Sequence, residues 1–389
     1  MMQPASLQAT TSAIGALAPA APRNPIGIMP NAAHQAPHGL FDMGRYELAI
    51  VEFDDQGRCY DRAQMDAVAT RIGTWMTDEK DAIIVVFVHG WKHDARTDDT
   101  NLSAFQGVLG KTVELELEQS ARMGALARPV LGMFIGWRGM SLYDRFGVSD
   151  NATFWDRQEA GRRVSTGSVR ELLGRCRHYH NHRRDKGGAP LFIVVGHSFG
   201  GMIVFSALAQ SLIEAASVPV NEVTPRFADL VLLVNPAIEG ARYLPIYDLT
   251  QARRVAGRTS AQPPVFICAT ASNDWATGLA FPIGNAFSLL TESYLDRQER
   301  QAMINTIGHL PWLKTHDLRG GLSPTEYALT PPPEATQHPF WVVLATPDVI
   351  DGHNGIFGDR FLKFVADRVF EHVEYSRSKK PMNAMIRPA

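Results

Sequence analysis

The sequence predicts an α/β fold in which a mostly parallel, doubly wound sheet is flanked by helices. Seven short apolar runs, each as long as a buried strand, are spread along the chain between positions 46 and 345. Longer stretches of helical composition fill most of the gaps, and this alternation is typical of a parallel sheet with helices on both faces. At 389 residues and 45% hydrophobic content, the chain is long enough to bury one large core.

Each predicted strand is a continuous apolar run, whereas each predicted helix is longer and mixes apolar with polar residues. The predicted strands are Tyr46–Phe53, Ala82–Val88, Val130–Ile135, Leu191–Val195, Leu230–Val234, Val265–Ala269 and Trp341–Ala345. The predicted helices are Arg62–Met76, Leu102–Met123, Trp155–Arg184, Gly201–Ala216 and Asp359–Val373. Ligands of such sheets bind beyond the carboxyl ends of the strands, so we expect the functional residues there.

The predicted domain spans residues 41–375 and lies between two predicted disordered tails. Residues 1–40 are rich in Ala, Pro, Gln and Asn, which favours disorder, and a divergent export signal is the alternative. Residues 376–389 form the second predicted tail. The segment 276–339 is too long for a simple connection and carries aromatic and charged residues, so we expect it to form a cap over the site.

Charge and cysteine content limit the classes of partner and compartment. The formal net charge of −2 gives no long-range attraction to nucleic acid or anionic membranes. The sequence contains no run of 18 or more apolar residues, so we predict no membrane span. Cys59, Cys176 and Cys268 are few and widely spaced. They predict buried thiols in a reducing compartment, hence the cytoplasm, with a secreted protein lacking disulfides as the alternative.

The most informative motif is Gly196-His197-Ser198-Phe199-Gly200, which lies between a predicted strand and a predicted helix. A serine between two glycines in this context is a nucleophile-elbow pattern. The sharp turn holds the serine in a strained backbone conformation and leaves no room for side chains at positions 196 and 200. Ser198 is therefore the predicted nucleophile.

Three motifs resemble those of the α/β-hydrolase superfamily, and more narrowly those of poorly characterised proteobacterial serine hydrolases. They are His89-Gly90-Trp91, Trp137-Arg138-Gly139 and the elbow itself. The resemblance covers roughly residues 45 to 372 and implies a serine hydrolase with the order Ser, acid, His along the chain. It implies no particular substrate.

The predicted general base is His353. A serine hydroxyl is a weak nucleophile at neutral pH and needs an imidazole to accept its proton. His353 lies in the loop between the last predicted strand and the last predicted helix, from which it can reach the elbow. His309, His316 and His338 also follow Ser198 in the chain, but they lack this strand-loop-helix context.

The third catalytic residue should be a carboxylate at another strand end, because it holds the imidazole in one tautomer and stabilises its charged form. Asp274 follows the strand Val265–Ala269 and is where the resembled family places its acid. A turn-forming aspartate is the structural alternative. Glu239, which follows the preceding strand, is the alternative acid.

Two backbone amides are the expected donors of an oxyanion hole. One belongs to Phe199, which follows the nucleophile, and the resemblance assigns the other to Trp91 in the loop after Ala82–Val88. His89 is expected to hold that loop through its ring nitrogens. His197 is expected to pack beneath the serine.

Aromatic residues near the predicted strand ends are candidates for the substrate pocket. They are Trp137, Tyr143 and Trp275, with packing in the core as the alternative for the first two. We predict no metal site, although His178, His180 and His182 form a histidine-rich tract. Only the first and last of these would share a helix face, and neighbouring arginines would repel a cation.

Together, these residues predict a cofactor-independent serine hydrolase that cleaves a small-molecule carboxylic ester through an acyl-enzyme. Amidase, lipase or acyltransferase chemistry would use the same residues. A non-catalytic α/β-hydrolase module that binds a ligand or a partner is the alternative from another class.

Overall fold

The computed structural model describes residues 39–90, 93, 95, 98–137, 160–220, 222–255, 262–282, 294–331 and 339–378. Within these residues, ten strands form one sheet in the order β1-β2-β4-β3-β5-β6-β7-β10-β8-β9. All pairings from β2 through to β8 are parallel, and only the two outermost strands run antiparallel to their neighbours. The predicted α/β class with a mostly parallel sheet is therefore confirmed.

The seven predicted strands are all present, each within two residues of its predicted ends. The strands are β1 Leu40–Asp42, β2 Glu47–Phe53, β3 Ile83–Val88, β4 Val130–Trp137, β5 Leu191–His197, β6 Leu230–Val234, β7 Phe266–Ala271, β8 His316–Gly320, β9 Tyr327–Thr330 and β10 Phe340–Ala345. Strands β1, β8 and β9 were not predicted; β1 and β9 are the two edge strands, and β8 lies between β10 and β9.

The helices of the described residues alternate with the strands. They are α1 Arg62–Thr77, α2 Thr100–Arg122, α3 Ser168–Asp185, α4 Phe199–Ser217, α5 Leu244–Val255, α6 Arg297–Ile304 and α7 Asp359–Ser378. The single helix predicted over Trp155–Arg184 is wrong in part, because a separate helical turn ends before Gly167 and α3 begins after it. Residues 155–159 lie outside the described residues.

The two faces of the sheet bury two separate apolar clusters. Alternate residues of each central strand point to opposite faces, so that Val86 joins one cluster and Phe87 the other. Helices α1, α3, α4 and α5 contribute to the first cluster, and α2 and α7 contribute to the second. Helices thus cover both faces, as a doubly wound sheet requires.

Helix α4 is the most apolar of the described helices and packs against the central strands. By length and hydropathy it is the one described helix that could cross a membrane, but two thirds of that stretch is buried inside the fold, as in the core helix of a globular domain. The three cysteines are free and buried, as predicted. Burial raises the pKa of each thiol to about 12.

The predicted cap segment 276–339 has two different parts. Strands β8 and β9 lie within it and extend the sheet beyond β10, so this part forms sheet edge and not a cap. The part at 294–313 packs on the loop that follows β6, through backbone hydrogen bonds of Gly240 to Asn305 and of Ile307 to Ile238. It also contacts the loop that follows β7, where the Thr306 hydroxyl donates to the carbonyl of Thr277. Residues 283–293 and 332–338 of this segment lie outside the described residues, as do most residues of both predicted tails.

Candidate active site

Ser198 lies on a sharp turn between β5 and α4. Its backbone has φ 56° and ψ −120°, a region that side-chain-bearing residues rarely adopt. A Cβ added at Gly196 would lie 2.6 Å from the carbonyl oxygen of Gly200, and one added at Gly200 would lie 2.0 Å from the carbonyl oxygen of Val88. Both flanking glycines are therefore needed for the turn, as the sequence predicted.

The three predicted catalytic side chains form one hydrogen-bonded chain. Ser198 Oγ lies 2.9 Å from His353 Nε2. On the other side of the ring, His353 Nδ1 lies 3.0 Å from Asp274 Oδ1 and 2.9 Å from Asp274 Oδ2. In the neutral imidazole, Nδ1–H donates to the carboxylate and Nε2 accepts from the serine hydroxyl. This is the tautomer that a general base for the serine needs.

The sheet topology brings these residues together. Ser198, Asp274 and His353 follow β5, β7 and β10, which lie on the same side of the sheet order and are separated only by β6. Because these strands are parallel, their carboxyl ends meet at one edge. The three residues are 155 and 79 positions apart in the chain, so the fold alone makes them neighbours.

Asp274 is a buried but ionised carboxylate. Burial alone would raise its pKa, but hydrogen bonds from His353 and Thr277 and the charge of His353 outweigh burial and hold the pKa below the ordinary 3.8. The backbone amide of Ala276 also donates to Oδ1, at 3.0 Å. An ionised acid beside the imidazole stabilises the positive charge that forms on the ring when it accepts a proton.

The backbone of His353 is held by residues from two neighbouring strand ends. The carbonyl oxygen of His353 accepts hydrogen bonds from His197 Nε2 at 2.9 Å and from Asn235 Nδ2 at 2.8 Å. Asn235 also donates to the carbonyl of Gly352 at 3.1 Å and accepts from the amide of Ala271 at 2.8 Å. Burial, with repulsion from His353, lowers the pKa of His197 to about 3, so this ring is neutral.

The loop after β3 lies directly against Ser198. A Cβ added at Gly90 would lie 2.9 Å from the Cβ of Ser198, so the backbone of this loop approaches the serine as closely as a glycine allows. His89 is fully buried and holds the loop as predicted: its Nδ1–H donates to the carbonyl of Gly90 at 2.8 Å, and its Nε2 accepts from the amide of Trp137 at 3.2 Å. Burial lowers the pKa of His89 to about 4 and keeps the ring neutral.

Of the two predicted oxyanion-hole donors, only Phe199 lies among the described residues. It is the first residue of α4, which places its amide at the positive end of the helix dipole and next to the nucleophile. Trp91 lies outside the described residues, although Gly90 places the start of its loop beside Ser198.

The alternative acid does not contact the base. Glu239 pairs with Arg162, with 2.7 Å between Oε1 and the guanidinium, and its backbone bridges to Thr306. The carboxylate that reaches His353 in the described structure is that of Asp274.

The predicted pocket aromatics differ in their surroundings. Trp137 is buried in the core, where its Nε1–H donates to the carbonyl of His89 and its ring stacks on the His89 ring, so it supports the loop from below. Trp275 is 68% exposed beside Asp274. Tyr143 lies outside the described residues.

The histidine-rich tract does not converge on one point. His180 is buried on α3, and its Nε2 lies 2.8 Å from the carboxylate of Asp229, far along the chain at the start of β6. Within the described part of the chain, no group of three His, Cys, Asp or Glu side chains has metal-binding geometry.

Asn235 and Thr277, which lie beside the three predicted catalytic side chains, were missed in the sequence, and His309 was considered only as a rival base. Asn235 follows β6 directly, and its position at a strand end, before a proline, was an available signal. Thr277 and His309 carry no such signal, because their role depends on contacts between distant loops.

An apolar cavity of about 410 Å³ lies elsewhere, between the sheet and helices α2 and α7. Its walls are strand and helix residues such as Val85, Phe105 and Phe361, and none of the three catalytic candidates lines it. The chemistry of the candidate site is therefore not associated with this cavity.

Comparisons of the chain with protein-family models, with curated proteins and with solved structures gave no match.

Proposed function

We propose that this protein is a serine hydrolase of the α/β-hydrolase fold that cleaves carboxylic esters through an acyl-enzyme. The observation that carries the proposal is the continuous chain from Ser198 Oγ through the His353 ring to the Asp274 carboxylate, with all heavy-atom distances between 2.9 and 3.0 Å. Nucleophile, base and orienting acid are thus within hydrogen-bond reach of one another, as acyl transfer to a serine requires.

The proposed reaction has two halves. In the first, Ser198 Oγ attacks the ester carbonyl carbon while its proton passes to His353 Nε2, and the tetrahedral intermediate collapses as the imidazolium gives that proton to the leaving alcohol. In the second, a water molecule attacks the acyl-serine in the same way, its proton passes through His353, and the carboxylic acid leaves with the serine hydroxyl restored. Asp274 stays ionised throughout and stabilises the imidazolium.

The proposed fold assignment is supported by the location of these parts. In α/β-hydrolases the nucleophile lies on a strained strand-to-helix turn, the chain order is Ser, acid, His, and the oxyanion hole uses the amide after the nucleophile and one from the loop after the third strand. Here Ser198 has φ 56°, Asp274 and His353 follow in that order, and Gly90 in the loop after β3 lies against Ser198.

The test is covalent labelling with a fluorophosphonate, together with hydrolysis of a chain-length series of p-nitrophenyl esters. Wild-type protein should be labelled once per chain at Ser198, whereas Ser198→Ala should be neither labelled nor active, with a loss of at least about a thousandfold in turnover. The matched control is Ser217→Ala, which removes an exposed hydroxyl that donates to the carbonyl of Glu214 at the end of α4 and should leave labelling unchanged. Labelling of Ser198→Ala at the wild-type rate would refute the proposal.

A further inference from the structure

Asp274 has a second hydrogen-bonded connection that leads away from the base. Thr277 Oγ1 lies 2.5 Å from Asp274 Oδ2, and His309 Nε2 lies 3.2 Å from Thr277 Oγ1. Because Ser198 and His353 reach the same carboxylate from the other side, five side chains form one continuous run.

The hydrogens of this run can be assigned from the chemistry of its members. The carboxylate of Asp274 is ionised and can only accept, so the single hydroxyl hydrogen of Thr277 must point to it. Thr277 Oγ1 is then an acceptor towards His309, whose Nε2 must carry a hydrogen. Burial lowers the pKa of His309, which favours the neutral ring. Its one hydrogen is then assigned to Nε2, because Thr277 Oγ1 can only accept from it. Every hydrogen bond from His309 to Asp274 therefore runs in one direction.

His309 is held firmly where it meets Thr277. It ends the short helical turn Ile307–His309, which is tied to the loop after β6 by the bond from the Ile307 amide to the carbonyl of Ile238. A Cβ added at Gly278 would lie 2.9 Å from Cε1 of the His309 ring, so the ring packs directly on the backbone next to Thr277. The imidazole is thus held in place by packing, independently of its hydrogen bond to Thr277.

We propose that Thr277 and His309 are positioning residues for the catalytic acid. The Thr277 hydroxyl fixes the rotation of the Asp274 carboxylate and takes part of its negative charge, and His309 fixes the direction of that hydroxyl. Without the hydroxyl, Oδ1 keeps the bonds from the Ala276 and Thr277 amides, but Oδ2 keeps only the bond to His353. The carboxylate is then held less firmly at Oδ2, and its remaining charge binds the imidazole Nδ1–H more strongly. The effect on turnover rests on the proposed function, whereas the effect on the His353–Asp274 hydrogen bond does not.

The decisive pair of variants is Thr277→Val and Thr277→Ser. Valine keeps the shape of threonine and removes the hydroxyl, whereas serine keeps the hydroxyl. We expect Thr277→Val to lower the rate of ester hydrolysis and of fluorophosphonate labelling about tenfold, and Thr277→Ser to stay within about twofold of wild type. Equal rates for Thr277→Val and wild type would overturn the inference.

A double-variant cycle tests the role of His309. His309→Leu should lower the labelling rate about threefold, and Thr277→Val with His309→Leu should match Thr277→Val alone, because His309 acts through the hydroxyl that is already missing. If the two losses multiply, His309 does not act through Thr277 and the proposed run is wrong.

A spectroscopic measurement separates this inference from the proposed function. We expect the hydrogen between His353 Nδ1 and Asp274 to give a downfield proton NMR signal, which would be identified by its absence in Asp274→Ala. It should move further downfield in Thr277→Val and stay in place in Thr277→Ser, whether or not the protein hydrolyses esters. A signal that moves in protein without fluorophosphonate reactivity would support the inference and refute the proposed function. If the signal does not move in Thr277→Val protein that still reacts with the fluorophosphonate, the result would refute the inference and support the proposed function.

Discussion

The carbonyl oxygen of His353 lies 2.9 Å from Nε2 of His197, the residue that precedes the nucleophile. The ring centroids of the two histidines are 5.0 Å apart, and Asn235 donates to the same carbonyl oxygen. The backbone of His353 is therefore attached to the end of the strand that precedes Ser198. With its backbone attached in this way, the His353 side chain contacts both Ser198 and Asp274.

Replacing Asn235 by aspartate should impair catalysis through this attachment. Aspartate keeps the shape and the acceptor for the Ala271 amide, but it has no hydrogens to donate and places a carboxylate against the carbonyl oxygens of Gly352 and His353. We expect a loss of about ten- to a hundredfold in kcat, since small displacements of a catalytic group are costly. Steady-state hydrolysis and thermal unfolding, measured together, check this; a variant with wild-type kcat would show that the attachment does not position the base.

Asp274→Asn and Glu239→Gln should have very different effects. The first keeps the volume but removes the carboxylate that orients His353, and we expect turnover to fall by up to about ten-thousandfold. The second removes a carboxylate that pairs with Arg162, away from the base, and should change turnover only a few-fold. Esterase rates and melting temperatures of both variants decide between them. If Glu239→Gln is inactive and Asp274→Asn is active, the catalytic acid is Glu239 in the loop after β6, and the assignment of Asp274 is wrong.

Gly90→Ala should lower activity although Ser198, His353 and Asp274 are all retained. The new methyl group would lie 2.9 Å from the Cβ of Ser198, so either the loop after β3 or the elbow must shift. A displacement of about 1 Å costs on the order of a hundredfold in rate. Gly107→Ala is the matched control, because it lies within α2 with no heavy atom within 4 Å of the added Cβ. It should keep full activity and stabilise the fold by about 0.5 to 1 kcal/mol; similar activity in both variants would rule out the crowding.

The strained turn predicts that Ser198→Gly is more stable than Ser198→Ala. Both variants lack the nucleophile, but only glycine adopts φ 56° without steric cost. Relief of this strain, less the greater flexibility of glycine in the unfolded chain, should favour the glycine variant by about 1 kcal/mol. Denaturant-induced unfolding of the two proteins measures the difference, and a more stable alanine variant would mean that the turn is relaxed.

Buried neutral histidines predict loss of stability in mild acid. Burial lowers the pKa of His89 and His372 to about 4 and that of His197 to about 3, from an ordinary 6.5 in the unfolded chain. Between pH 6.5 and 4 the unfolded chain binds more protons, so the free energy of unfolding should fall as the pH is lowered through this range. Each histidine contributes at most about 1.4 kcal/mol per pH unit.

His372→Gln isolates one of these contributions. The variant should show a shallower decrease of the free energy of unfolding between pH 7 and 5, measured by denaturant titration, because one buried group no longer binds a proton on unfolding. A slope that is the same in His372→Gln and wild type would show that His372 does not titrate on unfolding.

The sequence was sufficient for the parts of the fold that are governed by local patterns. The interior strands are unbroken apolar runs because both faces of the sheet are covered, and such runs can be recognised without knowledge of the fold. The elbow could be predicted for a similar reason: the turn excludes side chains at positions 196 and 200, so the steric requirement is visible as glycine. Asp274 and His353 could be proposed because each follows a recognisable strand.

The remaining features depend on contacts between distant segments. Strands β8 and β9 are short, and β9 has no buried residue, so they carry little apolar signal. The role of His309 depends on its contact with Thr277, 32 positions earlier in the chain. Trp137 was ambiguous as a pocket residue because an aromatic residue at a strand end has the same local pattern whether it faces a ligand or the core; here it supports the loop of His89.

Because β8 and β9 extend the sheet beyond β10, local unfolding at this edge of the sheet does not directly displace His353. Strand β10, which leads to His353, pairs with β7 on one side and with β8 on the other, so it is an interior strand. Edge strands fray first, and exchange of their amide hydrogens requires only small local openings. Separation of β10 from the sheet would instead require the outer pair of strands, β8 and β9, to separate from β10 as well. The geometry around His353 should therefore persist until a large cooperative unit of the sheet unfolds.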